Sequence, residues 1–172
     1  MMDKMNVVTF RATSHVLGAV VRASQPDAPM TVDHVAATGI RVRDGANLHL
    51  QALIDPGQLQ VVQVDYDTRV FYRPQLFSVV GGRAEQQTVG AVTASLGAGA
   101  AVTVTLPVAT TGAIEAFVHV SGGALTESIV RAVPIANGAT NGNAGLILGA
   151  GVYTLVVLVP GYATVILADT LP

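Results

Sequence analysis

The sequence predicts an all-β fold, in which an N-terminal β-meander or sandwich is followed by a small C-terminal β-sandwich. Three observations predict it. In the first half, apolar and polar residues alternate with the period of two that is typical of half-buried strands. Aspartate-glycine and proline-glycine pairs, which favour turns, separate these runs. In the second half, a phrase that begins Leu-Gly-Ala-Gly and ends at a proline occurs twice, at residues 96–107 and 148–160.

The first half is predicted to form consecutive strands and turns. The alternation begins with Ile40 and Val42, between which Arg41 faces solvent. A later strand is expected to present on one face Val62, Val64, Tyr66, Val70 and Tyr72. Residues 27–38 form the one segment predicted as a helix, and a short one.

The repeated phrase of the second half is predicted to be a turn-plus-strand unit that is used twice. Its glycines permit a sharp reversal, and the closing proline ends the strand because it has no N–H to donate. In the second copy, residues 152–159 are apolar on both faces. Such a strand lies in a central position or presents one face to a partner.

The uncharged stretch at residues 145–168 is long enough to cross a bilayer. It contains Gly149, Gly151 and a Pro160-Gly161 pair, and its other residues are mostly valine, leucine and threonine. A proline-glycine pair in the middle of such a stretch favours a turn between two strands. The sequence therefore predicts a β-hairpin here rather than a membrane span.

Charge changes along the chain in a way that predicts two domains. Of the twenty charged side chains, fifteen lie in residues 1–83. The density of charged residues falls beside the sequence GGRAEQQ at residues 81–87. We expect an N-terminal β domain at residues 1–85, which is a candidate docking region, and a C-terminal β-sandwich at residues 86–172.

The overall composition excludes several function classes. Of the 172 residues, 51% are hydrophobic and 12% are charged, which is about half the usual charged share of a globular domain. The formal net charge of −2 provides no basic surface, so we expect neither nucleic acid nor a membrane as a partner. There is no cysteine, which excludes disulfides, thiolate nucleophiles and cysteine metal sites.

The second half carries a family resemblance. The segment at residues 112–168 resembles the carboxypeptidase-regulatory-like, or transthyretin-like, β-sandwich, an Ig-like architecture. The closing signature consists of Gly151, Tyr153, Leu155, Val157, Pro160, Gly161 and Tyr162, and the turn before it contains Gly149. The resemblance implies a structural role for these residues. It also implies a non-catalytic module of the kind found in surface proteins, and similar sandwiches decorate phage capsids and tails.

The sequence lacks the common motifs for catalysis and for cofactor binding. The single lysine, Lys4, follows no glycine-rich loop, so a P-loop is excluded. No serine lies in a G-x-S-x-G elbow. The four histidines are far apart and never lie at helical spacing beside a glutamate, which disfavours a metal site. We expect no enzyme activity and no cofactor.

The sequence VDYDTR is the most site-like stretch. Asp65 and Asp67 are expected to project from one face of a strand, about 7 Å apart. Two such carboxylates are candidate calcium ligands. The preferred interpretation is a solvated face balanced by Arg69, because one strand supplies too few ligands for calcium.

The aromatic residues of the first half allow two interpretations. Tyr66, Phe71, Tyr72 and Phe77 are candidates for a carbohydrate-binding platform. The preferred alternative is that their rings fill the N-terminal core.

These expectations together favour a bacteriophage virion protein, either a capsid decoration or a tail component. The residues at the start of the chain are interrupted by Asn6, Thr9 and Arg11, so they do not resemble a secretion signal. A β-sandwich with little charge is expected to form a homo-oligomer and to dock on other virion proteins, after assembly in the host cytoplasm. The alternatives are a bacterial surface adhesin or fibre subunit, and a calcium- or ligand-binding module.

Overall fold

The structure is a computed structural model that describes residues 4–21, 29–44, 49–97 and 101–172. The N-terminal strands are β1 (Lys4–Phe10), β2 (Val16–Val20), β3 (Ile40–Arg43), β4 (Gln51–Ile54), β5 (Leu59–Asp65), β6 (Phe77–Val80) and β7 (Arg83–Gln86). The C-terminal strands are β8 (Thr93–Gly97), β9 (Ala101–Thr105), β10 (Ile114–Gly122), β11 (Ile129–Ile135), β12 (Asn141–Gly145), β13 (Gly151–Leu158) and β14 (Val165–Leu171). The two short helices are α1 (Val32–Val35) and α2 (Thr68–Tyr72). The predicted all-β class is confirmed.

The N-terminal part is built around a three-stranded antiparallel sheet of order β2-β1-β5. Two hairpins, β3–β4 and β6–β7, and the two short helices surround it. Since successive side chains of a strand point to opposite faces, β1 contributes to two cores. Met5 and Val7 pack with Val70 and Phe77 on one face, while Val8 and Phe10 face the other way.

The C-terminal part consists of two antiparallel sheets that pack face to face. A four-stranded sheet has the order β11-β10-β13-β14, and a three-stranded sheet has the order β12-β9-β8. Their common core includes Val102, Val104, Val118, Val120, Val133, Leu155 and Val157. The predicted hairpin at residues 145–168 is present as β13 and β14, which pair from Gly151↔Leu171 to Val157↔Val165.

The N-terminal part covers the second face of the four-stranded sheet. Val156 and Leu158 of β13 lie in one buried cluster with Phe10 of β1. The ring of Phe10 lies 6.0 Å from the ring of Phe117 on β10. The strand that is apolar on both faces is therefore central, and the chain itself buries both faces from Leu155 to Leu158, whereas Val152 is exposed. The predicted division into residues 1–85 and 86–172 stays a prediction, and this core is shared between the two parts.

The two copies of the repeated phrase have different connections. In the first copy, β8 and β9 form a hairpin within one sheet; the glycine at position 99 lies outside the described residues. In the second copy, the chain leaves β12 at Gly145 and enters β13 in the opposite sheet at Gly151. The predicted turn-plus-strand unit is thus a hairpin once and a crossing between sheets once.

The predicted strand through residues 62–72 is wrong in its second half. β5 ends at Asp65, and the chain then forms α2. The physical reason is a helix cap, because Oδ1 of Asp67 accepts a hydrogen bond from the backbone N–H of Arg69 at 2.8 Å. The helix predicted at residues 27–38 is shorter in the structure, which has only α1 in that range. Residues 27 and 28 of the predicted helix lie outside the described ranges.

Candidate docking surface

The segment around α2 places aromatic and arginine side chains on the surface. The exposed fraction is 76% for Tyr72, 47% for Tyr66 and 44% for Phe71. The rings of Phe71 and Tyr72 meet edge to face, with centroids 5.7 Å apart. We expected these rings in the N-terminal core. That holds for Phe77, which is buried, and it is wrong for the other three.

Two buried residues explain why this segment turns its rings outward. Val70 in the middle of α2 is fully buried, and Phe77 at the start of β6 is buried as well. A helix of five residues that is anchored by Val70 leaves its neighbours on the opposite side in solvent. Pro74, which lacks an N–H, then begins a single turn of 3₁₀-helix after α2. The sequence signals for this arrangement are Asp67, which caps the start of a helix, and Pro74 after Arg73, which ends it.

A ridge between two cavities is formed by Tyr72, Arg73 and Leu76. We call these three residues the Tyr72 ridge. A cavity of about 320 Å³ lies on one side and a cavity of about 470 Å³ on the other. The smaller cavity is also lined by Thr68, Arg69, Phe77 and Gln86. The larger cavity is also lined by Arg43, Asp44, Gln75, Thr164 and Ile166.

The arginines beside the ridge differ in their partners. Arg69 forms an ion pair with Asp67, with Nη2 2.8 Å from Oδ2, and this pairing raises the pKa of Arg69 and lowers that of Asp67. Within the part of the chain that the structure describes, neither Arg43 nor Arg73 has a carboxylate partner. Both are exposed. The surface therefore offers two positive charges beside an exposed phenol ring.

Such a surface is suited to binding another protein. Tyrosine and arginine are enriched among residues that contribute most to protein–protein affinity. A tyrosine brings a large apolar area and one hydroxyl, and an arginine brings a planar group that bonds two carboxylate oxygens at once. The aromatic residues here include the candidates for a carbohydrate-binding platform, and carbohydrate binding stays a prediction. The ridge itself was not expected, because the tyrosines were assigned to a strand.

A second concave surface lies at the end of the β3–β4 hairpin, and we call it the acidic cleft. Its volume is about 490 Å³, and its lining includes Leu53, Asp55, Ser121, Leu125, Glu127 and Ser128. The hydroxyl of Ser128 donates a hydrogen bond to Oδ2 of Asp55 at 3.0 Å. Asp55 and Glu127 are exposed, and neither forms an ion pair with another described residue.

His119 is fully buried on β10, on the face that the N-terminal part covers. Neither ring nitrogen has a hydrogen-bond partner in the described residues. Burial lowers the pKa of His119, and the nearby carboxylate of Asp55 opposes that shift. The hydroxyl of Ser128 bonds to Asp55 and not to this imidazole, so these residues do not form a serine–histidine pair.

The calcium candidates are separated by the end of β5. Asp65 is the last residue of that strand, whereas Asp67 caps α2, so the expectation that both lie on one strand is wrong. Lys4 pairs with Asp65 and lowers the pKa of its carboxyl, as Arg69 does for Asp67. Within the described ranges, no group of three or more metal-ligating side chains occurs. Calcium binding stays a prediction, and the pairing with Lys4 and Arg69 resembles the solvated, balanced face that we preferred.

The residues of the closing signature make structural contacts. The hydroxyl of Tyr153 donates to the carbonyl oxygen of Gly149 at 2.7 Å. The ring of the same tyrosine packs closely against the backbone of Gly123 and Gly151. Leu155 lies in the sandwich core, and Tyr162 packs against that core from the turn that follows Pro160 and Gly161.

Comparisons with known proteins return no relative. No family model matches the chain, and no curated protein and no solved structure matches it. The resemblance to the transthyretin-like sandwich therefore stays a prediction. None of the described helices is long and apolar enough to cross a membrane. What the fold and the surface define is an all-β protein with an exposed tyrosine–arginine ridge.

Proposed function

We propose that the protein is a non-enzymatic structural component of a bacteriophage particle, as a capsid decoration or as part of the tail. It acts by docking on other virion proteins and by self-association. The N-terminal part provides the docking surface, and the C-terminal sandwich projects from it or contacts further copies.

The observation that carries this proposal is the Tyr72 ridge. The most exposed aromatic side chain of the described residues, Tyr72, lies in the part of the chain that was expected to dock. It lies next to Arg73, whose charge has no partner within the described residues. Exposing a ring of this size to water is unfavourable, and the cost is removed when a partner covers it.

The C-terminal part carries few charges and several exposed apolar side chains. The exposed fractions are 93% for Ile147, 70% for Val89, and 61% for Val108 and Val152. Only five charged side chains lie in residues 84–172. The scarcity of charge is what supports self-association here, because charged residues are depleted in the cores of protein interfaces.

The proposal is tested on particles from the strain that carries this reading frame. Particles are purified on a density gradient, analysed by mass spectrometry and labelled with gold-conjugated antibodies against the purified protein. We expect peptides of this chain in the particle fraction and gold at regular positions on the capsid or tail. Gold on intact cells, with none on particles, would overturn the proposal in favour of a surface adhesin or fibre subunit.

A matched pair of variants then tests the docking surface. The double variant Tyr72→Ala/Arg73→Ala is expected to abolish incorporation of the protein into particles. Arg131→Ala is the control, because Arg131 is exposed in the C-terminal part and lines neither cavity beside the ridge. Equal incorporation of both variants would show that docking uses another surface.

A further inference from the structure

We propose that the Tyr72 ridge of one copy docks into the acidic cleft of a second copy, so that the chain associates head to tail. This inference rests on the self-association part of the proposed function and names both surfaces of the contact. It assigns the Tyr72 ridge to a second copy, so only a copy whose ridge is unoccupied uses that ridge to dock on another virion protein.

The two surfaces lie at opposite ends of the β3–β4 hairpin. At one end of the hairpin, Arg43 lies opposite Gln51 in the strand register. Arg43 also lines the larger cavity beside the ridge. Ile40 pairs with Ile54 at the other end, next to Asp55 of the cleft. The two ends are three residue steps apart along the strand, a distance of about 10 Å. The ridge and the cleft therefore open at separate places, so each can meet a different neighbour.

The two surfaces have opposite charges. The ridge presents Arg73, with Arg43 and one carboxylate, Asp44, beside it, which leaves an excess of positive charge. The cleft presents Asp55 and Glu127. Oδ2 of Asp55 accepts from Ser128, which fixes the carboxylate and leaves Oδ1 for an incoming guanidinium. Since neither of the two arginines and neither of the two cleft carboxylates has an ion-pair partner among the described residues, docking would supply each with one.

The shapes of the two surfaces also correspond. Tyr72 projects between two cavities, with 76% of its surface exposed. The cleft has a volume of about 490 Å³ and is bordered by Leu53 and Leu125. Leu53 is 44% exposed and Leu125 is partly buried, so both leave apolar surface at the cleft. The leucines offer apolar contact to the ring, while the carboxylates offer contact to Arg73.

A contact of this kind sets the form of the assembly. Because it joins two different surfaces, each copy retains one unused ridge or cleft, and further copies add in the same way. The result is a closed ring when the rotation per copy closes, and an open filament when it does not. Both forms occur where a structural protein repeats around or along a particle.

The test uses charge reversal on the full-length chain, with mass measured by light scattering behind a sizing column. Arg73→Glu destroys the ridge and leaves the cleft intact, whereas Glu127→Arg does the reverse. We expect the unchanged protein to grow in mass with concentration and to dissociate with added salt. Each variant alone is expected to be a monomer, with association weakened about 10-fold or more.

Mixing the two variants gives the sharpest outcome. The intact ridge of the Glu127→Arg chain meets the intact cleft of the Arg73→Glu chain, and the reversed ridge of the second chain meets the reversed cleft of the first. We therefore expect the mixture to recover larger species although each variant alone does not, and we expect the same recovery when both changes are made in one chain. The controls Arg83→Glu and Glu115→Arg make the same charge changes at exposed positions outside both surfaces.

Three results would overturn the inference. These are an unchanged protein that stays monomeric at its highest soluble concentration, charge-reversed chains that associate as well as the controls, and a mixture that stays monomeric. None of them bears on the particle-labelling experiment, which detects docking on other virion proteins. Failure of the head-to-tail contact and failure of the proposed function are thus distinguishable.

Discussion

The Nε2 atom of His15 lies 2.9 Å from the carbonyl oxygen of Tyr162, so a buried histidine of the N-terminal part fixes the turn between β13 and β14. Its Nδ1 atom lies 2.8 Å from the hydroxyl oxygen of Thr13. A neutral imidazole with its proton on Nε2 satisfies both contacts, since it donates to Tyr162 and accepts from Thr13. The two halves of the chain are therefore joined by a polar contact as well as by the apolar core.

Replacing His15 by alanine is expected to destabilise the protein by about 3 kcal/mol. The change leaves the Tyr162 carbonyl and the Thr13 hydroxyl without this partner and creates a cavity. Urea unfolding measures the effect, and His49→Ala is the control because His49 is exposed. A loss no larger than that of the control would contradict a structural role for His15.

The stability of the protein is expected to fall as the pH is lowered below about 6.5. Burial lowers the pKa of both His15 and His119 from the usual value of 6.5. The unfolded chain then binds protons that the folded chain does not, so stability is complete above that pH and is lost below it. Two such groups give a slope of at most about 2.7 kcal/mol per pH unit.

Urea unfolding at a series of pH values between 5 and 7.5 tests this dependence. The variant His119→Leu removes one of the two groups and is expected to reduce the slope. Because neither ring nitrogen of His119 has a described hydrogen-bond partner, the leucine is also expected to cost little at neutral pH. A stability that does not change over this range would contradict the prediction.

The sequence predicts the sheets of this fold better than it predicts the surface. Alternation of apolar residues identified β3 correctly, because one face of that hairpin is buried and the other is solvated. The doubly apolar pattern of β13 predicted a central strand, but it did not reveal which residues cover its second face. The residues that cover this second face include those of β1, which contacts β10 although the two strands are distant in the sequence.

The candidate docking surface was missed for a local reason. Val70 and Tyr72 follow the period of two from Tyr66, and the segment from Thr68 to Tyr72 also fits a short helix with Val70 inward. Five residues are too few for periodicity to decide between these forms. The cap at Asp67 and the proline at position 74 decide it, because they satisfy or remove backbone donors at the two ends of α2. The acidic cleft also combines the end of β4 with the loop after β10, which no local pattern predicts.

Replacing Gly123 by alanine is expected to destabilise the protein by about 2–4 kcal/mol. Gly123 has a φ of +58°, and a Cβ there would overlap the ring of Tyr153. That ring cannot move aside easily, because it is buried and its hydroxyl is bonded to Gly149. Gly112→Ala is the matched control, since a Cβ at Gly112 meets no atom within 4 Å. Equal thermal unfolding midpoints for the two variants would contradict this account.

Replacing Asp169 by alanine is expected to loosen the edge where the two sheets of the sandwich meet. Oδ2 of Asp169 on β14 accepts a hydrogen bond of 2.6 Å from the backbone N–H of Leu96 on β8. Removal of that carboxylate leaves an edge-strand donor without this acceptor, at a cost of about 1–3 kcal/mol. Hydrogen exchange of the Leu96 amide measures the effect directly, and we expect it to accelerate by about 5- to 100-fold.

The variant Asp169→Asn separates the hydrogen bond from the charge. Its amide oxygen can still accept from Leu96, so we expect exchange closer to that of the unchanged protein than to that of the alanine variant. If asparagine and alanine accelerate exchange equally, the negative charge of Asp169 is what holds the edge, and the hydrogen bond alone is insufficient. Unchanged exchange in both variants would mean that the core residues Leu96 and Leu171 close the edge without help from Asp169.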